Sequence, residues 1–328
     1  MNKKEIVLGI DIGGTNTVFG YVDELGNCIS RYSIHTNADK SIDDFLDRLN
    51  KEITCSYNQL AKEYWLKGIG IGAPLANYYK STIENPLNLK WGTVNVAQKL
   101  KQYYELPIAV TNDANAAAIG EMKFGAAKGM RDFIIITLGT GLGSGIVANG
   151  ELIYGADGFA GEIGHSIYER NGRICGCGRK GCLETYASAT GIRKTVVEML
   201  EASTQASVLR NFKNGRLTSE VIYKAALNGD KVALEAFEFT GKVLGTKLAD
   251  SVVYTSPEAI FLFGGLADAG KLIFEPTKRY MEENLLYIFK DKVKILPSAL
   301  PGSSAAVLGA GALIWSELNK FENQLSLR

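Results

Sequence analysis

Ile6-Val7-Leu8-Gly9-Ile10-Asp11-Ile12-Gly13-Gly14-Thr15-Asn16 is a short apolar run that breaks into a turn of glycines and small polar residues. The run reads as a buried strand. Glycines let backbone N–H groups approach phosphate oxygens closely, Thr15 adds a hydroxyl donor, and Asp11 at the strand end suits a hydrated magnesium ion. A plain hairpin turn uses the same residue types, because residues 17–22 and 28–34 read as the next two strands, joined around Gly26-Asn27. The design recurs later in the chain. Phe133-Ile134-Ile135-Ile136-Thr137 runs into Leu138-Gly139-Thr140-Gly141-Leu142-Gly143, a second strand follows, and Asn149-Gly150 marks a tight hairpin into residues 151–154. Two such turns, each opening a three-strand meander, predict an α/β chain built by internal duplication and make phosphate binding the stronger reading of both.

Between the turns, Ser41 caps a predicted helix whose apolar spacing continues towards Tyr64, and residues 68–72 form a strand ending at Ala73-Pro74. Residues 84–91 read as an irregular loop that either lines a site or lies on the surface. Residues 107–111 form a strand that delivers Asn112-Asp113-Ala114-Asn115 to its carboxyl end, where ligands gather in open α/β sheets. Helix capping is the competing account of Asn112 and Asp113. After residue 188 come helices to Leu200, over 219–227 and over 231–254, then a strand at 259–263. Gly264-Gly265 at its end would admit a flat adenine or simply ease helix–strand packing. A helix over 268–286, a strand over 292–296 and a final helix from Ser304 to about Phe321 close the chain.

Gly161-Glu162-Ile163-Gly164-His165, Cys175-Gly176-Cys177 and Gly181-Cys182-Leu183-Glu184 hold one histidine and three cysteines spaced His-x9-Cys-x-Cys-x4-Cys. One imidazole and three thiolates make the closed four-coordinate set of a structural zinc. Such a metal would fix Glu162 and Glu184 beside it. A disulfide framework fits poorly: the five cysteines are odd in number, and Cys28 and Cys55 lie far off in sequence.

The 328 residues suggest two lobes. Lys and Arg total 36 against 35 Asp and Glu, so no charge bias recommends nucleic acid or an anionic membrane. Asp11 interrupts the first apolar run too early for a signal peptide or a membrane span, so the expected location is cytoplasmic.

Together, residues 11–16, 112–115, 138–143, Glu162 to His165, Cys175-Gly-Cys-Gly-x-x-Gly-Cys182-x-Glu184 and Phe263-Gly264-Gly265 resemble the ROK family of repressors, open reading frames and kinases. Residues 160–165 and 183–191 resemble its glucokinases most. The resemblance implies a two-lobed actin-like ATPase (ribonuclease H-like) fold with a duplicated βββαβα core and a ligand cleft between the lobes. It places an N-terminal lobe at 1–113, completed by a helix at about 304–328, and a larger lobe at 114–303 with its zinc loop at 161–184. It implies phosphorylation of the 6-hydroxyl of a hexose, glucose first, with N-acetylglucosamine, mannose, fructose or N-acetylmannosamine as alternatives. Asp113 would be the base. Asn112, Asp113, Glu162, His165 and Glu184 would contact the sugar. Asp11, Gly13, Gly14, Thr15, Asn16, Gly139, Thr140, Gly141, Gly143, Gly264 and Gly265 would hold Mg-ATP. His165, Cys175, Cys177 and Cys182 would hold zinc, and a homodimer is expected. Many relatives follow Gly-Ala-Pro with another glycine where this chain has Leu75, which leaves the preferred hexose open. Repressors of the family carry a helix-turn-helix ahead of the first glycine turn, and the ten residues before Asp11 leave no room for one. A sensor that binds sugar without turnover is the remaining alternative, although neither the base nor the glycine turns are damaged.

Overall fold

The computed structural model describes residues 3–86, 88–212, 216–302 and 304–326. Leu87 of the 84–91 loop, and residues 1–2 and 327–328 of the expected N-terminal lobe, lie outside the described residues. Contacts divide the chain into two compact units: Met1–Gly129 with Leu152–Ala160 and Ala299–Arg328, and Met130–Glu151 with Gly161–Ser298.

In the first unit, β1 (Lys4–Ile12), β2 (Asn16–Asp23) and β3 (Cys28–His35) form an antiparallel meander. Helix α1 (Ile42–Leu60) begins at Ser41, whose hydroxyl accepts the Asp44 N–H, and it ends before the expected Tyr64. From Tyr64 the chain is instead strand β4 (Tyr64–Ala73), paired parallel to β1 from Lys4 opposite Tyr64. Strands β5 (Ala76–Asn77), β6 (Thr82–Glu84) and β7 (Thr93–Asn95) make a small separate sheet, followed by α2 (Val96–Leu100), β8 (Ile108–Asn112) and α3 (Asp113–Phe124). The main sheet has the order β3-β2-β1-β4-β8. Its strands alternate faces with period two. Ile6, Leu8 and Ile10 pack in one cluster with Phe45, Leu46 and Leu49 of α1.

In the second unit, β9 (Phe133–Leu138), β10 (Leu142–Ala148) and β11 (Glu151–Leu152) repeat the meander. Asn149 and Gly150 both have positive φ, as the tight hairpin requires. Helices α4 (Ala189–Ala202), α5 (Ser219–Leu227) and α6 (Lys231–Thr255) lead to β12 (Ala259–Phe263), then α7 (Lys271–Asn284) and β13 (Lys294–Pro297). Sheet order is β11-β10-β9-β12-β13, with β10-β9 antiparallel and β9-β12 and β12-β13 parallel, as β2-β1, β1-β4 and β4-β8 are in the first unit. Helix α7 is shorter than expected because residues 267–269 form a separate 3-10 turn before Gly270.

The last helix, α8 (Ala305–Ser326), belongs to the first unit. It covers the face of β1 and β4 opposite α1. A Cβ on Gly9 or Gly70 would strike the carbonyl oxygens of Val307 and Ala310, so bare backbone lets helix and sheet meet directly. The expected boundary at residue 113 moves, because α3 packs on α8: a Cβ on Gly120 would lie 2.9 Å from the Cα of Gly309. Residues 152–160 also join the first unit, where Tyr154 stacks on Tyr78 at 4.1 Å between centroids and Asp157 O accepts the Asn77 amide at 2.6 Å. Among the described residues, no helix is long and apolar enough to cross a membrane.

Candidate functional site

The first glycine turn is braced from outside. Gly13 N–H donates to Asn16 O at 3.1 Å, and the buried Thr36 hydroxyl donates to Gly13 O at 2.7 Å. Thr36 also donates its N–H to Thr15 O at 2.9 Å, and its hydroxyl lies 2.9 Å from that of Thr17. Nothing in the sequence around Thr36 signals this role, because the partners are far apart in the chain. The loop at 84–91 packs against the turn: Asn88 stands where a side chain on Gly14 would be, and Lys90 N–H donates to Ala38 O at 3.1 Å. Gly14, Thr15, His35, Asn37, Asn88 and Lys90 are among the residues lining an open cavity of about 460 Å³ there.

Asp11, Asn112 and Asp113 come together at the carboxyl ends of adjacent strands. Asp11 pairs with Gly72 across β1 and β4, and Ala73 pairs with Asn112 across β4 and β8. A Cβ on Gly72 would lie 3.6 Å from Asp113 Cα and 3.7 Å from Asp11 Oδ1, so glycine is what lets the two aspartates share this corner. Asn112 does cap α3: its Oδ1 accepts the Ala114 N–H at 2.8 Å, and Asp113 Oδ1 accepts the same N–H at 2.9 Å. The capping account therefore holds for both residues without exhausting them. Asp113 is reached by solvent, yet surrounding protein strips enough hydration to raise its carboxyl above the ordinary value, against the lowering effect of the Ala114 N–H. Asp11 is pushed up to about 7, by burial first and then by the charge of Asp113. Two carboxylates in one desolvated corner make a ready site for a cation.

In the second unit, the second glycine turn meets the cysteine stretch. Glu184 Oε2 accepts the Leu142 N–H at 3.0 Å and occupies the space a Gly141 side chain would need. Thr137 Oγ1 accepts the Gly143 N–H at 3.1 Å. Ser144, missed in the sequence, donates to Gly161 O and accepts the Ile163 N–H at 3.1 Å, fixing the backbone around Glu162. His165 N–H donates to Glu162 O at 3.1 Å. Gly264, at φ +102°, follows β12 beside β9, where a Cβ would lie 2.8 Å from Leu138 O. Gly139, Thr140, Gly141, Gly143, Gly264 and Gly265 thus gather at one end of this sheet.

The donor atoms of His165, Cys175, Cys177 and Cys182 all lie within 4.8 Å of one another. Cys175 Sγ is 3.7 Å from His165 Nδ1, and Cys177 Sγ is 3.7 Å from Cys182 Sγ. Tetrahedral zinc with bonds of about 2.0–2.3 Å sets its donors roughly 3.3–3.8 Å apart, so the cluster fits that ion. Cys177 and Cys182 are not bonded to each other at that distance, since a disulfide is about 2.05 Å long, and all five cysteines are free. Cys175 and Cys182 are buried and their thiols are raised, burial being the leading cause, so thiolates there need a cation beside them.

The sequence model of the ROK family matches residues 7–317. A glucokinase of Halalkalibacterium halodurans is 34% identical over 96% of this chain and 96% of its own length. The xylose repressor of Bacillus subtilis is 28% identical over 95% of this chain and 78% of its own. Among solved structures, a ROK family glucokinase from Streptomyces griseus in complex with glucose and AMPPNP is similar at a TM-score of 0.81 and 32% identity, covering 94% of this chain and 98% of that one. The fold is the actin-like ATPase fold of these sugar kinases. A match spanning both glycine turns, the Asn112-Asp113 corner and the cysteine cluster leaves one assignment: the chain belongs to the ROK family.

Proposed function

We propose that this protein transfers the γ-phosphoryl group of Mg-ATP to the 6-hydroxyl of a hexose, with glucose the preferred acceptor. The observation that carries the reading is Asp113, a carboxylate held by its own helix terminus in a desolvated corner beside Asp11. Its Oδ1 is engaged by the Ala114 N–H, and its other oxygen takes the hydroxyl proton as O6 bonds to the γ-phosphorus and the bond to the β-phosphate oxygen breaks. Phosphoryl transfer asks little covalent chemistry of the protein; positioning and charge stabilisation dominate. Asp11 serves the magnesium of the nucleotide. Gly13, Gly14, Thr15 and Asn16, and Gly139, Thr140, Gly141 and Gly143, serve its phosphates, while Gly264 and Gly265 serve the adenine.

Asn112, Glu162, His165 and Glu184 contact sugar hydroxyls in this reading. Asn112 Oδ1 is taken by the helix, which leaves its amide NH2 for a hydroxyl. His165 turns Nδ1 to the thiols, which leaves Nε2 to donate to one. Zinc held by His165, Cys175, Cys177 and Cys182 supplies rigidity there and no step of the reaction. The similarity to glucokinases supports glucose, and the similarity to a xylose repressor supports a second reading, a sugar sensor without turnover.

The test is the initial rate of ADP release with Mg-ATP against glucose, mannose, fructose, N-acetylglucosamine and N-acetylmannosamine, with Asp113→Asn alongside. Highest kcat/KM for glucose and a loss of about 10²–10⁴ in kcat for a variant that still binds sugar are expected. Sugar binding without ADP release in the unaltered protein would favour the sensor.

A further inference from the structure

The side chain of Arg173, two residues before Cys175, is only 10% exposed. Nε donates to Glu198 Oε1 at 2.9 Å and Nη2 to Glu198 Oε2, a two-pronged pair with α4. Nη2 also donates to Thr195 Oγ1 at 2.9 Å, while Nη1 donates to Thr185 O at 2.7 Å and to Gly191 O at 3.2 Å. The guanidinium carbon lies 4.4 Å from the centre of the Tyr186 ring. A guanidinium has five N–H groups and no acceptor, so nothing is left over to bind a ligand. Arg173 acts on the protein itself.

Its main chain is tied as well: Arg173 N–H donates to the Tyr186 hydroxyl at 2.9 Å, and Arg173 O accepts the Gly181 N–H at 2.8 Å. One residue thus joins the cysteine stretch, the 3-10 turn Leu183–Thr185 and α4. A single 3-10 turn has few hydrogen bonds of its own. Glu184, its middle residue, therefore depends on neighbours: Ser188 Oγ donates to Glu184 O at 2.8 Å, and Arg173 holds the next carbonyl, that of Thr185. A lysine would keep the charge but not the flat fork that reaches Glu198, Thr195 and two carbonyls at once. We propose that Arg173 is a positioning residue of the sugar site, fixing the turn that carries Glu184 so that its carboxylate meets a sugar hydroxyl. This rests on the hexose kinase reading above. Arg173 touches neither substrate in that reading; it acts through Glu184, which a shift of about 1 Å would misplace.

Arg173→Lys and Arg173→Gln are compared with Glu184→Ala, with the double variant Arg173→Lys/Glu184→Ala, and with Glu198→Gln, which weakens the ion pair but leaves the Thr185 bond. Each is measured for kcat/KM with glucose, glucose binding by calorimetry, Tm and zinc content. Loss of the fork should lower kcat/KM for glucose about tenfold or more, with metal content unchanged. The double variant should lie within about twofold of Glu184→Ala alone, because a residue that acts through Glu184 then has nothing left to position. Glu198→Gln should lower Tm yet keep kcat/KM within about threefold. A loss that multiplies on top of Glu184→Ala, a loss that tracks zinc content or Tm across all the variants, or an unchanged kcat/KM in a folded Arg173 variant overturns the proposal. An unaltered protein that binds glucose without releasing ADP fails the kinase reading alone; the inference is then read from binding, which Arg173→Lys should still weaken about tenfold. An unaltered protein that binds no hexose takes both readings with it.

Discussion

Glu184 reaches out of the cysteine stretch to accept the backbone N–H of Leu142 at 3.0 Å, so the carboxylate two residues beyond Cys182 is fastened to the second glycine turn. In the proposed function Glu184 serves the sugar and that turn serves ATP, which couples the two. Glu184→Ala should therefore lower kcat/KM for both substrates, each by about tenfold or more, since a hydrogen bond to a charged group contributes roughly 1.5–3 kcal/mol. Steady-state rates with each substrate varied in turn check this; a defect confined to the sugar would mean that the Leu142 contact is idle.

The carboxyl of Asp11 is raised from an ordinary value of 3.8 to about 7. The folded chain thus keeps a proton that the unfolded chain releases, so the stability tied to this group is complete below about pH 3.8 and is lost as pH rises through about 7. Asp113, raised by the same desolvation, adds in the same direction. Asp11→Asn should flatten the fall in Tm of the magnesium-free protein between pH 5 and 8, by about 2–4 °C for each kcal/mol relieved. Equal slopes in both proteins would count against the raised carboxyl of Asp11.

The cysteine cluster predicts one zinc per chain by elemental analysis. If the cluster holds zinc, chelation, or Cys182→Ser at a fully buried cysteine, should release the metal and lower Tm by about 10 °C, the order expected when a structural metal closes a long loop. A folded, active chain with far less than one zinc would contradict the assignment.

Gly70→Ala probes the seam between β4 and α8, where the new methyl would meet the carbonyl of Ala310. Overpacking of this kind costs about 1–3 kcal/mol, which denaturant titration would resolve. A neutral change would mean that α8 can lift off the sheet.

Much of this protein was legible along the chain. Strand-then-glycine-turn signals at residues 6–16 and 133–143 give the duplication, and the spacing of His165, Cys175, Cys177 and Cys182 brings their donor atoms within one cluster, because both depend on neighbours close in sequence. Helix α3 was expected in the wrong unit, because its partner Gly309 is nearly two hundred residues away and small-residue packing leaves no periodic signal. The brace of Thr36 on the first turn, the clamp of Ser144 and the bond from Glu184 to Leu142 were equally invisible. Leu75 could be read only as a departure, and its positive φ came from the fold. Local chemistry determined which groups the chain carries; only tertiary packing decided which of them face each other, because hydrogen bonds and close contacts form across distances that sequence spacing does not encode.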